Sequence, residues 1–290
     1  MGVAVVTGGT GGLGLEASIG LARAGFEVVV TGRSVERGGA AVLRVGEAVP
    51  GAVVRFARLD VASLASVAAF AATIDAPVAV LLNNAGVMAL PTREVTEDGF
   101  ERQFGTNHLG HFALTARLLP WLRGGRVVSV SSLAHRRGRI AFEDLQGERS
   151  YSPWVAYAQS KLADLMFARE LQRRSDEAGW GVVGIAAHPG WARSELVVKG
   201  QGGERPGVKA RVMQAGFNAF GQPTAAGAWP LVYAAVDAAA APGGYYGPCC
   251  WGETRGQVSA SRVMPQAAVE KDCSRLWEVS EELVGVRFGR

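Results

Sequence analysis

Tyr157 and Lys161 stand four positions apart in a segment with helical spacing, Val155–Ala178. Side chains at positions i and i+4 lie on one face of a helix, one turn apart. A free phenol has a pKa of about 10 and is a poor acid at neutral pH, but a neighbouring ammonium group favours its phenolate form. The pair is therefore a candidate general acid and base. An isolated Tyr-x-x-x-Lys is also common as a surface pair, so the surrounding sequence has to decide.

Glycines are concentrated in the turn Thr7-Gly8-Gly9-Thr10-Gly11-Gly12-Leu13-Gly14, between a valine-rich run and a helical segment. Glycine allows the backbone to approach a pyrophosphate closely, and the free N–H groups at a helix start face its charge. The turn therefore predicts dinucleotide binding, with a purely structural turn as the alternative. The glycine spacing is wider than G-x-G-x-x-G, and no Gly-Lys-Ser/Thr of a Walker loop follows.

The second predicted strand ends in Thr31-Gly32-Arg33. Dinucleotide-binding folds often carry a carboxylate here, which binds the ribose hydroxyls. A guanidinium suits a 2′-phosphate instead. We therefore expect NADP(H) to be preferred over NAD(H), with an ordinary surface arginine as the alternative.

Short apolar runs alternate with helical segments through most of the chain, as in βαβ units. Because the runs are continuously apolar, they predict parallel strands covered on both faces. We expect an α/β fold: a single Rossmann domain over residues 1–290, with a doubly wound, mostly parallel sheet of about seven strands and helices on both faces. Glycine-rich residues 193–222 are a candidate lid over the substrate, or else a disordered loop. The predicted strands are Val3–Thr7, Glu27–Thr31, Val53–Leu59, Val78–Asn83, Arg126–Ser131, Gly181–Ala187 and Tyr245–Cys250, and the predicted helices are Gly14–Ala24, Val35–Val49, Leu64–Ile74, Thr96–Leu122, Val155–Ala178, Thr224–Ala238 and Ala267–Val284.

Several motifs occur in the order and approximate spacing of the short-chain dehydrogenase/reductase family, which this chain resembles over essentially its whole length. They are Thr7-Gly8-x3-Gly12-Leu13-Gly14, Asn83-Asn84-Ala85-Gly86, Asn107, Ser131-Ser132, Tyr157-x3-Lys161 and Pro189-Gly190. Within the family the chain is most similar to the retinol-dehydrogenase-like branch. That similarity lies in Asn84-Ala85-Gly86-Val87-Met88, Thr106-Asn107-His108-Leu109-Gly110-His111-Phe112, Tyr157-Ala158-Gln159-Ser160-Lys161-Leu162, His188-Pro189-Gly190 and Leu276-Trp277-Glu278-x-Ser280-Glu281.

The resemblance implies an oxidoreductase that transfers a hydride between NADP(H) and a carbonyl or alcohol carbon. Tyr157 would transfer the proton, and Ser132, rather than Ser131, would bond the substrate oxygen. Lys161 would also bond the nicotinamide ribose, and Asn107 would hold a water in the proton relay. Asn83 would line the cofactor beside the residues implied to bind it, which are Gly8, Thr10, Gly12, Leu13, Gly14, Arg33, Asp60, Val61, Asn84, Ala85, Gly86, Tyr157, Lys161, Pro189, Gly190 and Ser194.

The substrate is expected to be a small-molecule carbonyl compound or alcohol. Only aromatic residues indicate its chemical class. Trp154 and Trp191 are candidates for an apolar pocket with Ser132, although plain packing is equally consistent with them. With Phe142 and Phe217 they suggest an apolar ketone. Family members often pair through their two long helices, so a monomer, a homodimer and a homotetramer all remain open.

Composition and charge exclude other classes of function. The net charge is +4, and the densest basic cluster, His135–Arg139, is too short for a nucleic-acid site, although it would suit an acidic or carrier-bound substrate. The three cysteines have no zinc or redox spacing, so we expect no metal and treat them as small, half-buried apolar residues. No apolar run is long enough to span a bilayer, and we expect a cytoplasmic protein.

Three alternatives stay open at this point. A non-catalytic NADP(H)-binding regulator would be expected to lack the tyrosine, lysine or serine, and all three are present. A hydrolase could use Ser132 and His135, but no Gly-x-Ser-x-Gly elbow accompanies them. Related chemistry, such as epimerisation or dehydration, is the third.

Overall fold

The computed structural model describes residues 2–192 and 221–289. Most of the predicted lid lies outside these residues, as do Ser194 and Phe217. Within them the chain forms an α/β domain around a single sheet, as the sequence predicts.

The sheet has eight strands in the order β3-β2-β1-β4-β5-β6-β7-β8, with β1 to β7 parallel and β8 antiparallel to β7. The order reverses between β1 and β4, where doubly wound sheets bind their ligands. The strands are β1 Val3–Val6, β2 Glu27–Gly32, β3 Val54–Arg58, β4 Val78–Asn83, β5 Arg126–Val130, β6 Val183–Ala187, β7 Tyr245–Cys250 and β8 Arg255–Ala260.

Strand β8 is absent from the sequence prediction, which gave about seven strands. It lies at the sheet edge and is largely exposed, so its sequence carries no continuous apolar run. Periodicity predicts buried strands well and exposed edge strands poorly.

Helices cover both faces of the sheet and enclose one apolar core on each side. Helices α1, α2 and α7 pack on one face, and α3, α5, α6 and α8 pack on the other. Valines of the strands fill both layers because a parallel strand is buried on both sides. The helices are α1 Gly12–Arg23, α2 Val35–Ala48, α3 Leu64–Ala71, α4 Arg102–Phe104, α5 Gly110–Leu118, α6 Pro153–Ala178, α7 Thr224–Val236 and α8 Glu270–Val284.

The single helix predicted over Thr96–Leu122 is wrong. The segment begins with a bridge between Val95 and Glu101, and a π-helical segment, Gly105–Leu109, separates α4 from α5. An added Cβ at Gly110 would lie 1.8 Å from the carbonyl oxygen of Val61, so α5 approaches the β3–α3 connection without a side chain between them. The π-helical segment carries Asn107, and such segments are frequent at functional sites. Similarly, the last helix begins at Glu270 rather than at residue 267, after a 3-10 turn.

Candidate active site

A cleft of about 1340 Å³ opens at the carboxyl ends of the parallel strands. Its lining includes the residues that the sequence predicts for catalysis, cofactor or substrate, with the exceptions of Asn83, Asn107, Phe142, Ser194 and Phe217. Asn107 is buried behind the wall, and Ser194 lies outside the described residues. The motifs, which lie between Thr7 and Gly190 in the sequence, therefore converge on one site.

The glycine turn between β1 and α1 forms one end of the cleft. Gly8 has a φ of +62°, and a Cβ at Gly14 would lie 2.4 Å from the carbonyl oxygen of Gly8. Helix α1 begins beside this turn with no side-chain cap and no acidic residue in its first turn. Its free N–H groups and bare backbone fit the diphosphate of a dinucleotide.

A buried threonine ties this turn to the neighbouring strand. Thr7 Oγ1 accepts hydrogen bonds from the backbone N–H groups of Asn84 at 2.8 Å and Ala85 at 2.9 Å. Asn84 Nδ2 in turn donates to the Thr7 carbonyl oxygen at 2.8 Å. The backbone on both sides of the diphosphate position is thus fixed by direct hydrogen bonds.

His111 continues this network into the helix layer. Burial, reinforced by the charge of Lys161, lowers the pKa of His111 to about 4, so its ring is neutral. Its Nδ1–H donates to the Asn107 carbonyl oxygen at 2.8 Å, and its Nε2 accepts from Thr7 Oγ1 at 2.8 Å. Thr7 and His111 both belong to the sequence motifs of the family resemblance, but those motifs predict no individual role for either residue.

Both the Oδ1 and the Nδ2 atoms of the Asn107 side chain form hydrogen bonds within the protein. Its Oδ1 accepts from the Val87 N–H at 2.8 Å, and its Nδ2 donates to the Val87 carbonyl oxygen at 3.0 Å and to Ser160 Oγ at 2.8 Å. Ser160 Oγ donates to the carbonyl oxygen of Tyr157 at 2.8 Å. The amide of Asn107 therefore positions the loop after β4 against the part of α6 that carries Tyr157.

Tyr157 and Lys161 lie one turn apart on α6 and both line the cleft. The Tyr157 ring packs against Met88 and Ala89 and is 7% exposed. Lys161 Nζ donates to the carbonyl oxygen of Val130 at 2.8 Å. Burial lowers the pKa of Lys161, but the charges of Asp164 and Tyr157 outweigh it and raise that pKa above its ordinary value. The ammonium group therefore keeps its charge.

Asp164 is a partner that the sequence analysis missed. Its Oδ2 accepts from Lys161 Nζ at 2.9 Å, and both side chains are buried. Burial raises the pKa of Asp164 to about 6, with Lys161 opposing part of that shift. An acidic residue three positions after the lysine on one helix was the available signal.

The two serines after β5 have different environments. Ser131 Oγ is buried and donates to the Lys161 carbonyl oxygen at 2.7 Å. Ser132 is half-buried, and its Oγ accepts from the Ala134 N–H at 3.2 Å, which leaves its hydroxyl proton available to the cleft. His135 Nδ1 lies 2.6 Å from the backbone carbonyl oxygen of Ser132, not from its hydroxyl, so the serine–histidine relay of a hydrolase is not formed.

Two arginines stand beside the glycine turn. Arg33 follows β2 and is exposed, and Arg37 of α2 also lines the cleft. Arg37 Nη2 lies 3.3 Å from the position of a Cβ on Gly11. An added Cβ at Gly32 would lie 2.8 Å from Thr10 Cγ2, so Thr10 occupies the space of a larger residue there. Arg37 was not predicted from the sequence, because it lies in the first turn of α2 and not at the end of β2.

Two residues that the sequence analysis associated with the site lie elsewhere. Asn83 is buried, and its Nδ2 donates to Thr115 Oγ1 at 3.2 Å, so Asn84 lines the cleft in its place. Phe142 packs under the guanidinium of Arg275, 4.1 Å from the ring centre, and does not line the cleft. Consecutive residues at the end of a strand point to opposite faces, which separates Asn83 from Asn84.

The opposite end of the cleft is lined by Trp154 and Trp191, 42% and 46% exposed, and by the turn between β7 and β8. The Trp191 N–H donates to the carbonyl oxygen of Thr254 in this turn at 2.8 Å. Glu253 of the same turn pairs with Arg136 at 2.9 Å, which neutralises part of the basic cluster after Ser132.

In the described part of the chain, no group of three acidic, histidine or cysteine side chains is placed to hold a metal ion. The described helices also include none with the length and apolarity to cross a membrane.

Comparison with known proteins agrees with this geometry. The sequence profile of short chain dehydrogenases matches residues 2–202. The chain is a member of the short-chain dehydrogenase family. It is 37% identical to retinol dehydrogenase 12 of Homo sapiens over an alignment of 294 residues, gaps included, that covers 99% of this chain and 87% of the relative. It is 44% identical to polyprenol dehydrogenase of Mus musculus over 246 residues, 81% of this chain and 71% of the relative.

Among solved structures, an uncharacterised protein from Mycobacterium paratuberculosis matches this short-chain dehydrogenase with a TM-score of 0.82 and 37% identity. The match covers 100% of this chain and 96% of the other. The predicted family and its retinol-dehydrogenase-like branch are thus confirmed, and with them an oxidoreductase on a Rossmann-type fold.

Proposed function

We propose that this short-chain dehydrogenase interconverts an apolar carbonyl compound and its alcohol with NADP(H), using Tyr157 as the general acid and base. The observation that carries the proposal is the arrangement of Tyr157 in the cleft wall, one helical turn from a buried Lys161 whose charge is maintained by Asp164. A cation beside a phenol favours the phenolate and so assists proton transfer in both directions.

The bound nicotinamide would supply or accept the hydride, and the side chains of the chain would manage the oxygen and the proton. Ser132 and Tyr157 would donate hydrogen bonds to the substrate oxygen, where negative charge grows during reduction. Tyr157 would complete the transfer of the proton. Asn107 and Ser160 would act at one remove, because their hydrogen bonds hold the backbone of Tyr157 in place.

The preference for NADP(H) is supported by charge at the end of β2. Arg33 and Arg37 stand at this corner of the cleft, and Gly32 leaves it without the carboxylate that would bind ribose hydroxyls. Two guanidinium groups are a suitable site for a 2′-phosphate.

An apolar substrate is supported by Trp154 and Trp191, both of which line the cleft beyond Tyr157. The relatives described above are named for retinol and polyprenol, which are alcohols with long hydrocarbon parts. We extend that class, and neither individual compound, to this chain.

Substitution Tyr157→Phe tests the proposal. The phenylalanine keeps the packing against Met88 and Ala89 but removes the proton, so NADPH-dependent reduction of retinal and of aromatic ketones should fall by about 10²- to 10⁴-fold. NADPH binding, followed by fluorescence, should stay within about twofold. Unchanged turnover in this variant would refute the role of Tyr157, and a wild type that binds NADPH but reduces no carbonyl would favour the non-catalytic regulator.

A further inference from the structure

Two adjacent cysteines lie at the end of β7. Gly252 and Thr254 of the turn that follows them line the cleft. Cys249 and Cys250 are both exposed, in contrast to the half-buried positions expected from the sequence, whereas Cys273 is buried. Their Sγ atoms lie 2.7 Å apart. Successive side chains of a regular strand point to opposite faces, so neighbouring cysteines in a strand do not ordinarily meet.

A bulge in the β7–β8 ladder brings the two sulfurs together. The register shifts between Pro248, which pairs with Val258, and Cys250, which pairs with Arg255. A bulge of this kind increases the local twist and redirects side chains. Gly256, with a φ of +114°, faces the pair, and an added Cβ there would lie 3.0 Å from both Sγ atoms. The geometry thus depends on an irregular strand and on a glycine opposite it.

The turn that follows the cysteines is part of the cleft rim. Cys250 accepts a hydrogen bond from the Thr254 N–H at 3.0 Å, and Thr254 accepts from the Trp191 N–H at 2.8 Å. Glu253 pairs with His188 Nε2 at 3.1 Å and with Arg136 at 2.9 Å. Cys250 is therefore connected through one or two polar contacts to Trp191, His188 and Arg136. These residues lie at the end of the cleft that Trp154 and Trp191 line.

We propose that Cys249 and Cys250 form a reversible oxidation site, at which a peroxide converts the two thiols into a disulfide between neighbours and loosens the β7–β8 turn. One thiolate attacks the peroxide, breaking the O–O bond and giving a sulfenic acid and one water. The second thiol attacks that sulfur, forming the S–S bond and releasing the second water. In total the two cysteines lose two protons and two electrons, which the peroxide takes up as it is reduced to two waters.

The loosening follows from the geometry of disulfides. Bridged cysteines usually have Cα atoms about 4.4–6.8 Å apart. Neighbouring Cα atoms across a trans peptide are only about 3.8 Å apart. A disulfide between Cys249 and Cys250 must therefore distort the local backbone, which carries the Thr254 hydrogen bond. The same distortion makes the bond easier to reduce, so thiols should restore the dithiol.

Intact mass of the folded full-length protein tests the chemistry. After hydrogen peroxide and then N-ethylmaleimide under denaturing conditions, the wild type should lose two hydrogens and take up one maleimide, on Cys273. Dithiothreitol before alkylation should restore all three additions. Cys273→Ser should still form the disulfide, whereas Cys249→Ser and Cys250→Ser should gain oxygen instead. Sulfinic acids on the wild-type pair, disulfide-linked dimers, or an unreacted pair would each overturn the proposal.

Hydrogen exchange tests the link to the cleft, with no need for a substrate. Peptides covering residues 189–192 and 250–255 should exchange at least about tenfold faster in the oxidised wild type and return to the original rate after reduction. The strands β1 and β4 should be unaffected. Equal exchange in both forms would overturn the loosening of the turn. Because neither measurement uses turnover, failure here is distinguishable from failure of the proposed oxidoreductase activity.

Discussion

The two ends of the cleft are held together by different kinds of interaction. At the end formed by the glycine turn, called the cofactor end below, the interactions are hydrogen bonds of backbone groups. The N–H groups of Asn84 and Ala85, for example, donate to the buried Thr7 Oγ1. At the opposite end, which Trp154 and Trp191 line and which is called the substrate end below, the interactions are ion pairs. Glu253 and Arg136 connect the turn between β7 and β8 to the loop after β5. A diphosphate requires the same backbone cradle whatever the substrate is, whereas side chains on turns can differ without disturbing the sheet. Under the proposed function, the first end would bind the cofactor, and the second would select the substrate.

The largest expected effect comes from breaking the backbone cradle. Gly14→Ala places a Cβ 2.4 Å from the Gly8 carbonyl oxygen and 2.6 Å from Asn84 Nδ2. The turn must open, so the Kd for NADPH should rise by about 100-fold or more, or about 2.7 kcal/mol. Isothermal titration measures it. The matched control is Gly39→Ala in α2, where an added Cβ meets nothing within 4 Å and binding should not change.

Removing charge at the same end should weaken one cofactor selectively. Arg33→Ala and Arg37→Ala should each raise the Kd for NADPH by about 10- to 30-fold, since each removes a charge-assisted hydrogen bond. The Kd for NADH should stay within about twofold. Equal losses for both cofactors would mean that the two arginines maintain the fold of the corner and do not read a 2′-phosphate.

Between the two ends of the cleft, Asp164 accepts a hydrogen bond from Lys161 and positions it. The contribution of Asp164 to kcat should depend on pH. As the pH falls through about 6, the Asp164 carboxylate is protonated and Lys161 loses its counter-charge. The wild-type kcat should therefore fall below that pH, whereas Asp164→Asn should lose about tenfold in kcat at pH 8 and show no such limb. Asp176→Asn, on the exposed end of the same helix, serves as the control. An identical acid limb in both proteins would assign it to another group.

The smallest effect is expected at the substrate end, on stability. Burial raises the pKa of Glu253, but the hydrogen bond from His188, the N–H of Arg262 and the charge of Arg136 outweigh it and lower that pKa to about 2. A lowered pKa contributes stability above the ordinary value of 4.5, and this contribution is lost as the pH falls towards 2. Glu253→Gln should therefore cost about 1 kcal/mol at pH 7 and less than half of that at pH 3.

Urea unfolding at the two pH values measures this difference. Glu47→Gln is the matched control, because Glu47 is 68% exposed in its pair with Arg44 and should contribute under about 0.5 kcal/mol at either pH. A cost for Glu253→Gln that is equal at both pH values would show that its shape, and not its charge, holds the turn.

Much of the cofactor end could be predicted from the sequence. The glycine turn, the valine runs and the Tyr157–Lys161 spacing are local patterns, and each predicts its structure through a period or a backbone requirement. The partners of those residues could not be predicted in this way. His111 meets Thr7 across 104 positions and Glu253 meets His188 across 65, and neither separation leaves a local signal.

The sequence by itself thus determined the doubly wound fold, the family and the set of motifs around Tyr157. Tertiary structure alone decided that Asp164 holds the charge of Lys161, that Asn107 is locked behind the cleft, and that Cys249 meets Cys250 over Gly256. The physical reason is that hydrophobic periodicity and glycine conformation act along the chain. Burial, charge pairing and strand irregularity depend on what the rest of the fold brings alongside each residue.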